Sequence, residues 1–146
     1  VSFIDLKDTD PEWQAVEQPF MRRALIAACF EDCIWVLGGF TDEDEITREV
    51  NVFDIENKSW FLGPQLPEGQ FNGFASAACV FENQVVVSVA DGKIVKLSKD
   101  RNDWQVIAQT DPRIVHRMVP VAEGVVLLGG ANGGHNLDTV ELIKVP

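Results

Sequence analysis

No tyrosine occurs in the chain, and histidine occurs twice, methionine twice and cysteine three times. Basic residues are scarce beside acidic ones, 12 against 23, and no apolar run approaches the length of a membrane span. Each shortage removes a class of function. A formal charge of -11 repels phosphate backbones and anionic lipid, so neither nucleic acid nor membrane is an expected partner. Cys29, Cys33 and Cys79 cannot all pair within one chain, and their spacing forms neither a disulfide scaffold nor a zinc-ligand set. No metal and no cofactor is expected. The cysteines read as reduced thiols, which points to a cytoplasmic location. The first residues carry no basic-then-apolar leader, and the opening on Val1 reads as a start processed or cut out of something longer. Asn57-Lys58-Ser59 matches a glycosylation acceptor without the secretory context that would give it meaning.

What is present is an ordinary globular balance: 146 residues, 46% hydrophobic and 24% charged, with 11 glycines and 7 prolines. That suffices for a core and reads, by length, as one domain. Apolar runs are short, β-rich and closed by turn residues, which is the pattern of strands. They include Val1 to Leu6, Trp13 to Val16, Ala24 to Phe30, Cys33 to Leu37, Glu49 to Asp54 and Ser59 to Leu62. The order then recurs through Phe74 to Phe81, Gln84 to Val89, Lys93 to Leu97 and Asp103 to Ile107. A third round runs from Ile114 to Val121, Val125 to Leu128 and Thr139 to Val145. Asp91-Gly92 is a hairpin turn signal. A helix over Glu12 to Leu25 would be broken by Pro19, so that stretch is expected as a strand plus a connection.

Internal repetition outranks any single motif. Ala27-Ala28-Cys29-Phe30-Glu31 is echoed by Ala77-Ala78-Cys79-Val80-Phe81-Glu82, and Gly38-Gly39 by Gly129-Gly130. Trp13, Trp60 and Trp104 each open a short strand after polar turn residues. Repeats of roughly 40 to 50 residues with four strands each are the signature of propeller blades. The tryptophans are expected as packing residues between sheets, with an indole N–H that can still reach a partner. The paired glycines are expected where backbones approach or turn.

At these residues the sequence resembles the kelch-repeat family. Arg23, Ile34-Trp35-Val36-Leu37-Gly38-Gly39, Val50-Asn51-Val52-Phe53-Asp54, Asn57-Lys58-Ser59-Trp60 and Leu66-Pro67 follow the family pattern in order. The last repeat shows Arg117, Val125 to Gly130 and Val140-Glu141-Leu142. The middle repeat keeps Trp104 but has Ser88-Val89 at the glycine pair, so it reads as a degenerate copy. The resemblance implies an all-β, kelch-type β-propeller segment of about three four-stranded blades, incomplete as a single chain. Residues 1–18 would be terminal strands of a preceding or closing blade, 19–67 blade A, 68–110 blade B, and 111–146 blade C without its last strand. Closed propellers have at least four blades, so the chain reads as part of a larger propeller or half of a ring built from two chains.

Few residues offer chemistry. His116 and His135 lie in segments that the resemblance puts near one end of the central channel, where Arg113, Arg117 or Asn132 could join them. No spaced nucleophile or carboxylate pair accompanies them, and hydrogen-bonded loop histidines are the plainer expectation. The run Gly129 to Gly134 lacks the helix and lysine of a phosphate loop, and Asp42 to Glu45 lacks the spacing of a calcium loop. Some kelch-like propellers are copper radical oxidases, but their tyrosine–cysteine centre cannot form in a chain without tyrosine. Arginines placed like Arg22, Arg23, Arg113 and Arg117 often line a peptide-holding face in the family. The competing expectation pairs them with third-strand carboxylates of a neighbouring blade, such as Glu49 or Glu141. The expected function is non-catalytic protein recognition by propeller loops, with a protein partner or self-association. The alternatives are a carbohydrate-directed or sugar-isomerising enzyme using His116, Arg117 and His135, and a structural half-propeller completed by its own kind.

Overall fold

The structure is a computed structural model that describes residues 1–145. Strands and turns account for its regular structure, and no helix occurs among the described residues. No helix is therefore long and apolar enough to cross a membrane. The chain begins with β1 (Ser2–Phe3) and β2 (Gln14–Ala15), which pair with each other. Next come β3 (Arg22–Arg23), β4 (Ile26–Phe30), β5 (Cys33–Leu37), β6 (Phe40–Thr41), β7 (Val50–Asp54) and β8 (Ser59–Leu62). Of these, β4-β5-β7-β8 form a four-stranded antiparallel sheet, and β3 pairs with β6 beside it.

The second sheet joins β9 (Ala77–Phe81), β10 (Gln84–Ser88), β11 (Lys93–Leu97) and β12 (Trp104–Gln109) in the same order and hand of pairing. The third joins β13 (Arg117–Val121), β14 (Gly124–Leu128) and β17 (Val140–Ile143), and stops at three strands. Between them β15 (Ala131–Asn132) and β16 (His135–Asn136) make a small hairpin. The hairpin between β9 and β10 turns on Glu82 and Asn83, both at positive φ, as a two-residue turn between right-twisted strands requires.

Register makes the repetition exact in position rather than only in composition. Ile26 faces Leu37, Ala77 faces Ser88 and Arg117 faces Leu128, each pair opening its sheet. Just beyond, Gly38 and Gly129 take φ of +61° and +57°, and Gly39 and Gly130 take +110° and +105°. A Cβ on Gly38 would lie 2.3 Å from the Gly73 carbonyl oxygen, so the corner admits no side chain. The same register corrects one expectation. The middle sheet carries Val89-Ala90 at the glycine-pair position, not Ser88-Val89, because Ser88 is still the last residue of β10. There Asp91 and Gly92 turn the chain directly into β11, with Lys93 bonded back across the turn to Val89. Without a long excursion between the strands, the glycine corner has no role.

Two apolar layers hold the sheets together. The first and second sheets share a core of Ala28, Phe30, Trp35, Leu37, Val50 and Val52 against Val85, Val87, Val95 and Leu97. The second and third share Ala77, Cys79, Phe81, Val86 and Ile94 against Met118, Val125, Leu127 and Ile143. Strand alternation sends one side of the middle sheet to each neighbour. Trp104 is buried and donates its indole N–H to the Pro64 carbonyl, 2.9 Å away, while Trp60 donates to the Glu17 carbonyl at 3.0 Å. Each closing strand is thus tied to the chain leaving the unit before it. Trp13 departs from the expected packing role. It lies just outside β2 and is 72% exposed, with no sheet over it.

Candidate functional site

The segments leading into the first strand of each sheet share an unusual backbone. Ala24, Ala75 and Val115 adopt left-handed φ of 53°, 45° and 59°. The Ala75 N–H donates to the Ala24 carbonyl at 3.2 Å, and the Val115 N–H donates to the Ala75 carbonyl at 2.9 Å. A backbone relay therefore runs across the three sheets at their shared end. Sequence reading missed it, because nothing about two alanines and a valine signals positive φ.

The arginines sit two residues before these positions in the first and third units. Arg22 donates from Nη1 to the Glu49 carbonyl at 2.9 Å and from Nη2 to the Asn51 side chain, with the Glu49 carboxylate 4.0 Å off. Burial lowers the Arg22 pKa, and the Glu49 charge works against that shift. Its guanidinium stacks over Phe20 at 4.1 Å. Arg113 donates to Glu141 at 2.7 Å, to Thr110 at 3.2 Å and to Thr139 at 3.4 Å, and is 4% exposed. The two arginines hold equivalent places against β7 and β17, with Glu49-Asn51 replaced by Thr139-Glu141. The carboxylate partners are those expected, but they belong to the arginine's own sheet rather than to a neighbouring one. In the middle unit Gly73 holds the arginine position, where φ of +106° and a Thr47 carbonyl 2.1 Å from any Cβ leave no space for a side chain.

The remaining expected site residues scatter. Arg23 is exposed, paired with Asp44 and stacked 5.3 Å from the Phe40 ring. Arg117 lies on the exposed side of β13 and reaches only the neighbouring His116 carbonyl, 3.3 Å away. His135 is exposed on β16, paired across the hairpin with Asn132. His116 is 1% exposed with both ring nitrogens unpartnered, and burial, aided by the Arg113 and Arg117 charges, pushes its pKa down to about 4. The joint site of His116, Arg117 and His135 does not assemble, because the imidazole is covered while the other two face solvent.

Arg113 and Asn132 do come together. They line a cleft of about 530 Å³ with Gln70, Phe71, Asp91 and Ile114, and Gly133 and Gly134 form its outer lip. Asn72 ties the lining residue Asp91 to the adjoining loop. Buried to 1% exposure, it donates to the Pro67 and Glu68 carbonyls and to the Asp91 carboxylate, and accepts from the Asp91 N–H. Burial alone would raise the Asp91 pKa, but hydrogen bonds from Lys93 and Asn72 and the Lys93 charge hold it below the usual carboxylate value. This clamp holds the 68–72 loop against the turn that follows β10. On its rim Phe71 is 54% exposed at φ +62°, an uncommon backbone for a bulky residue. The exposed aromatic, two amides and open glycine lip can contact a chain with both apolar and backbone groups. No group of three or more metal-ligating side chains forms among the described residues.

No family model and no curated protein matches the chain. Among solved structures, that of YjhT is similar in fold over 91% of this chain, with a TM-score of 0.75 and 15% sequence identity. The chain spans 46% of the length of that structure.

Proposed function

We propose that the three sheets are blades of a kelch-type β-propeller and that the chain is a non-catalytic protein-recognition module whose contact site is the loop cleft beside Phe71. The blade reading is supported by the positional repetition of strands, glycine corners and tryptophan ties, and by the fold shared with YjhT. The recognition reading is carried by one observation: Phe71 is held out to solvent on a clamped loop, in a backbone conformation that costs about 1 kcal/mol or more. An aromatic fixed on a rigid rim is the usual anchor of a protein interface. The arginine behind it is held through its two Nη groups by Glu141 and the threonines, so it shapes the cleft.

The test is retention of proteins from a lysate by the immobilised chain, with Phe71→Ala, Asn132→Ala and, as a control away from the cleft, Val106→Ala. A recognition cleft predicts that captured proteins bind about tenfold more weakly to Phe71→Ala and unchanged to Val106→Ala. Equal retention by all three variants would refute the cleft as the contact site. Turnover of a sugar that survives Phe71→Ala and is lost with His135→Ala would replace the reading with the enzymatic one.

A further inference from the structure

We infer that Asn132 is a covalent modification site: together with Gly133 it closes spontaneously to a cyclic imide and opens to aspartate and isoaspartate. The other asparagine–glycine pair of the chain, Asn72-Gly73, is kept intact by the fold. The inference concerns covalent chemistry and is independent of what the cleft binds.

The reaction needs water and no enzyme. The Gly133 backbone nitrogen gives up its proton to solvent and attacks Cγ of Asn132. A bond forms between that nitrogen and Cγ, the bond from Cγ to Nδ2 breaks, and the side-chain nitrogen leaves as ammonia. One water then opens the imide. Attack at Cγ gives aspartate, whereas attack at the Asn132 main-chain carbonyl carbon gives isoaspartate, whose backbone runs through Cγ and is longer by a methylene. Asparagine is thermolabile for this reason, and glycine in the next place favours attack because no Cβ shields its nitrogen. A folded chain permits the reaction only where the amide can turn towards the next nitrogen and the backbone there can bend into the ring.

Asn72-Gly73 meets neither condition. The Asn72 side chain is buried, donates to the Pro67 and Glu68 carbonyls and to the Asp91 carboxylate, and accepts from the Asp91 N–H. Turning Cγ towards Gly73 would break these bonds in the interior. Gly73 is wedged as well: its carbonyl accepts from the Gly39 N–H at 2.7 Å, and the Thr47 carbonyl oxygen closes on the place that a Cβ would take.

Asn132-Gly133 meets both. Asn132 is exposed, its amide is bonded to nothing among the described residues, and the Gly133 N–H makes no bond either. Gly133 and Gly134, at φ of +55° and +82°, form the turn between β15 and β16. A Cβ on either would meet nothing within 4 Å, so the turn has room to move. The strands that it joins share only two residue pairs, which offer little resistance. The products change the cleft. Its other charged lining residues, Asp91 and Arg113, are already paired with Lys93 and Glu141, so the new carboxylate is the one unpaired charge of the lining. Isoaspartate also lengthens one strand of the small hairpin and shifts its register.

The test holds the folded chain at about 37 °C and near-neutral pH for roughly two weeks, beside the same chain in concentrated guanidinium chloride. Both samples are digested at mildly acidic pH, which suppresses further reaction. Mass spectrometry then reads the gain of about 1 Da that marks an amide replaced by a carboxyl, and chromatography separates aspartate from isoaspartate. In denaturant both pairs should convert at similar rates. In the folded chain Asn132 should convert at least about tenfold faster than Asn72 and give both products, because only Asn72 must wait for its loop to open. A folded chain in which Asn132 stays intact, or in which Asn72 keeps pace with it, overturns the inference. Asn132→Gln serves as the second arm and should abolish the mass gain in its fragment. A gain that persists there would belong to Asn136 and would overturn the assignment. The readout is covalent, so retention of proteins at the Phe71 cleft can fail without touching it.

Discussion

At the scale of single residues, His116 shows how a repeat position can change chemistry without changing place. Its register equivalents are Leu25 in the first unit and Ser76 in the second. An imidazole put where an aliphatic side chain suffices is buried with both nitrogens unpartnered, and faces the charges of Arg113 and Arg117. It is therefore neutral when folded, with a pKa of about 4 against 6.5 for the free side chain. The unfolded chain takes up a proton below about pH 6.5 that the folded chain refuses until about pH 4. Stability contributed by the neutral form is complete above that window and is lost as pH falls through it. The loss is on the order of 2–3 kcal/mol at the acid end. Urea unfolding at pH 7 and pH 4 should show wild type losing roughly 2 kcal/mol more than His116→Leu, whose leucine copies the first unit. Parallel losses would mean that the folded chain protonates His116 freely.

At the scale of elements, the tryptophan ties show what was legible and what was not. Short β-branched runs between polar turns located the main strands, with Cys33–Leu37, Ser59–Leu62 and Lys93–Leu97 found to the residue. Period-two alternation and turn residues are local properties, and strands built on them are readable locally. The two-residue pairs β3 with β6 and β15 with β16 carry no such signal, because two residues cannot show a period. The site was harder to read. Arg113 and Asn132 are legible as site candidates and do share the cleft, but Phe71, Gln70 and Asp91 carry no local signal of a site. Their meeting depends on the Asn72 clamp, a contact across 19 residues that no local pattern encodes. Trp13 groups with Trp60 and Trp104 by its place at the opening of a short strand, yet that place says nothing of whether a sheet covers the indole.

The two covered tryptophans differ in a measurable way. Trp104 is buried and its bond to Pro64 is shielded, whereas the Trp60 bond to Glu17 lies at the surface and its ring rests on Phe20 and Phe53. Phenylalanine keeps most of the ring area and removes only the donor. Trp104→Phe leaves the part-buried Pro64 carbonyl without its partner and should cost about 1 kcal/mol. Trp60→Phe, whose acceptor can turn to water, should cost under about 0.5 kcal/mol. Thermal unfolding of the two variants checks the order, and a larger loss at Trp60 would contradict it.

At the scale of the whole molecule, stability is set by how many neighbours each sheet has. In stacked units each sheet contributes its own strands plus one interface term per neighbour. The middle sheet is alone in having two: Val85, Val87, Val95 and Leu97 enter one core layer, and Ala77, Cys79, Phe81, Val86 and Ile94 enter the other. The third sheet has one neighbour, three strands and an open aliphatic face. The β1–β2 pair has two residue pairs and little cover. Local opening should follow that order. Hydrogen exchange at low concentration is expected to leave the amides of β10 and β11 slowest and those of β1 and β2 fastest, with β14 and β17 between. Uniform protection across the sheets at low concentration would mean that the chain opens only as a whole, and that the count of neighbouring sheets does not govern its stability.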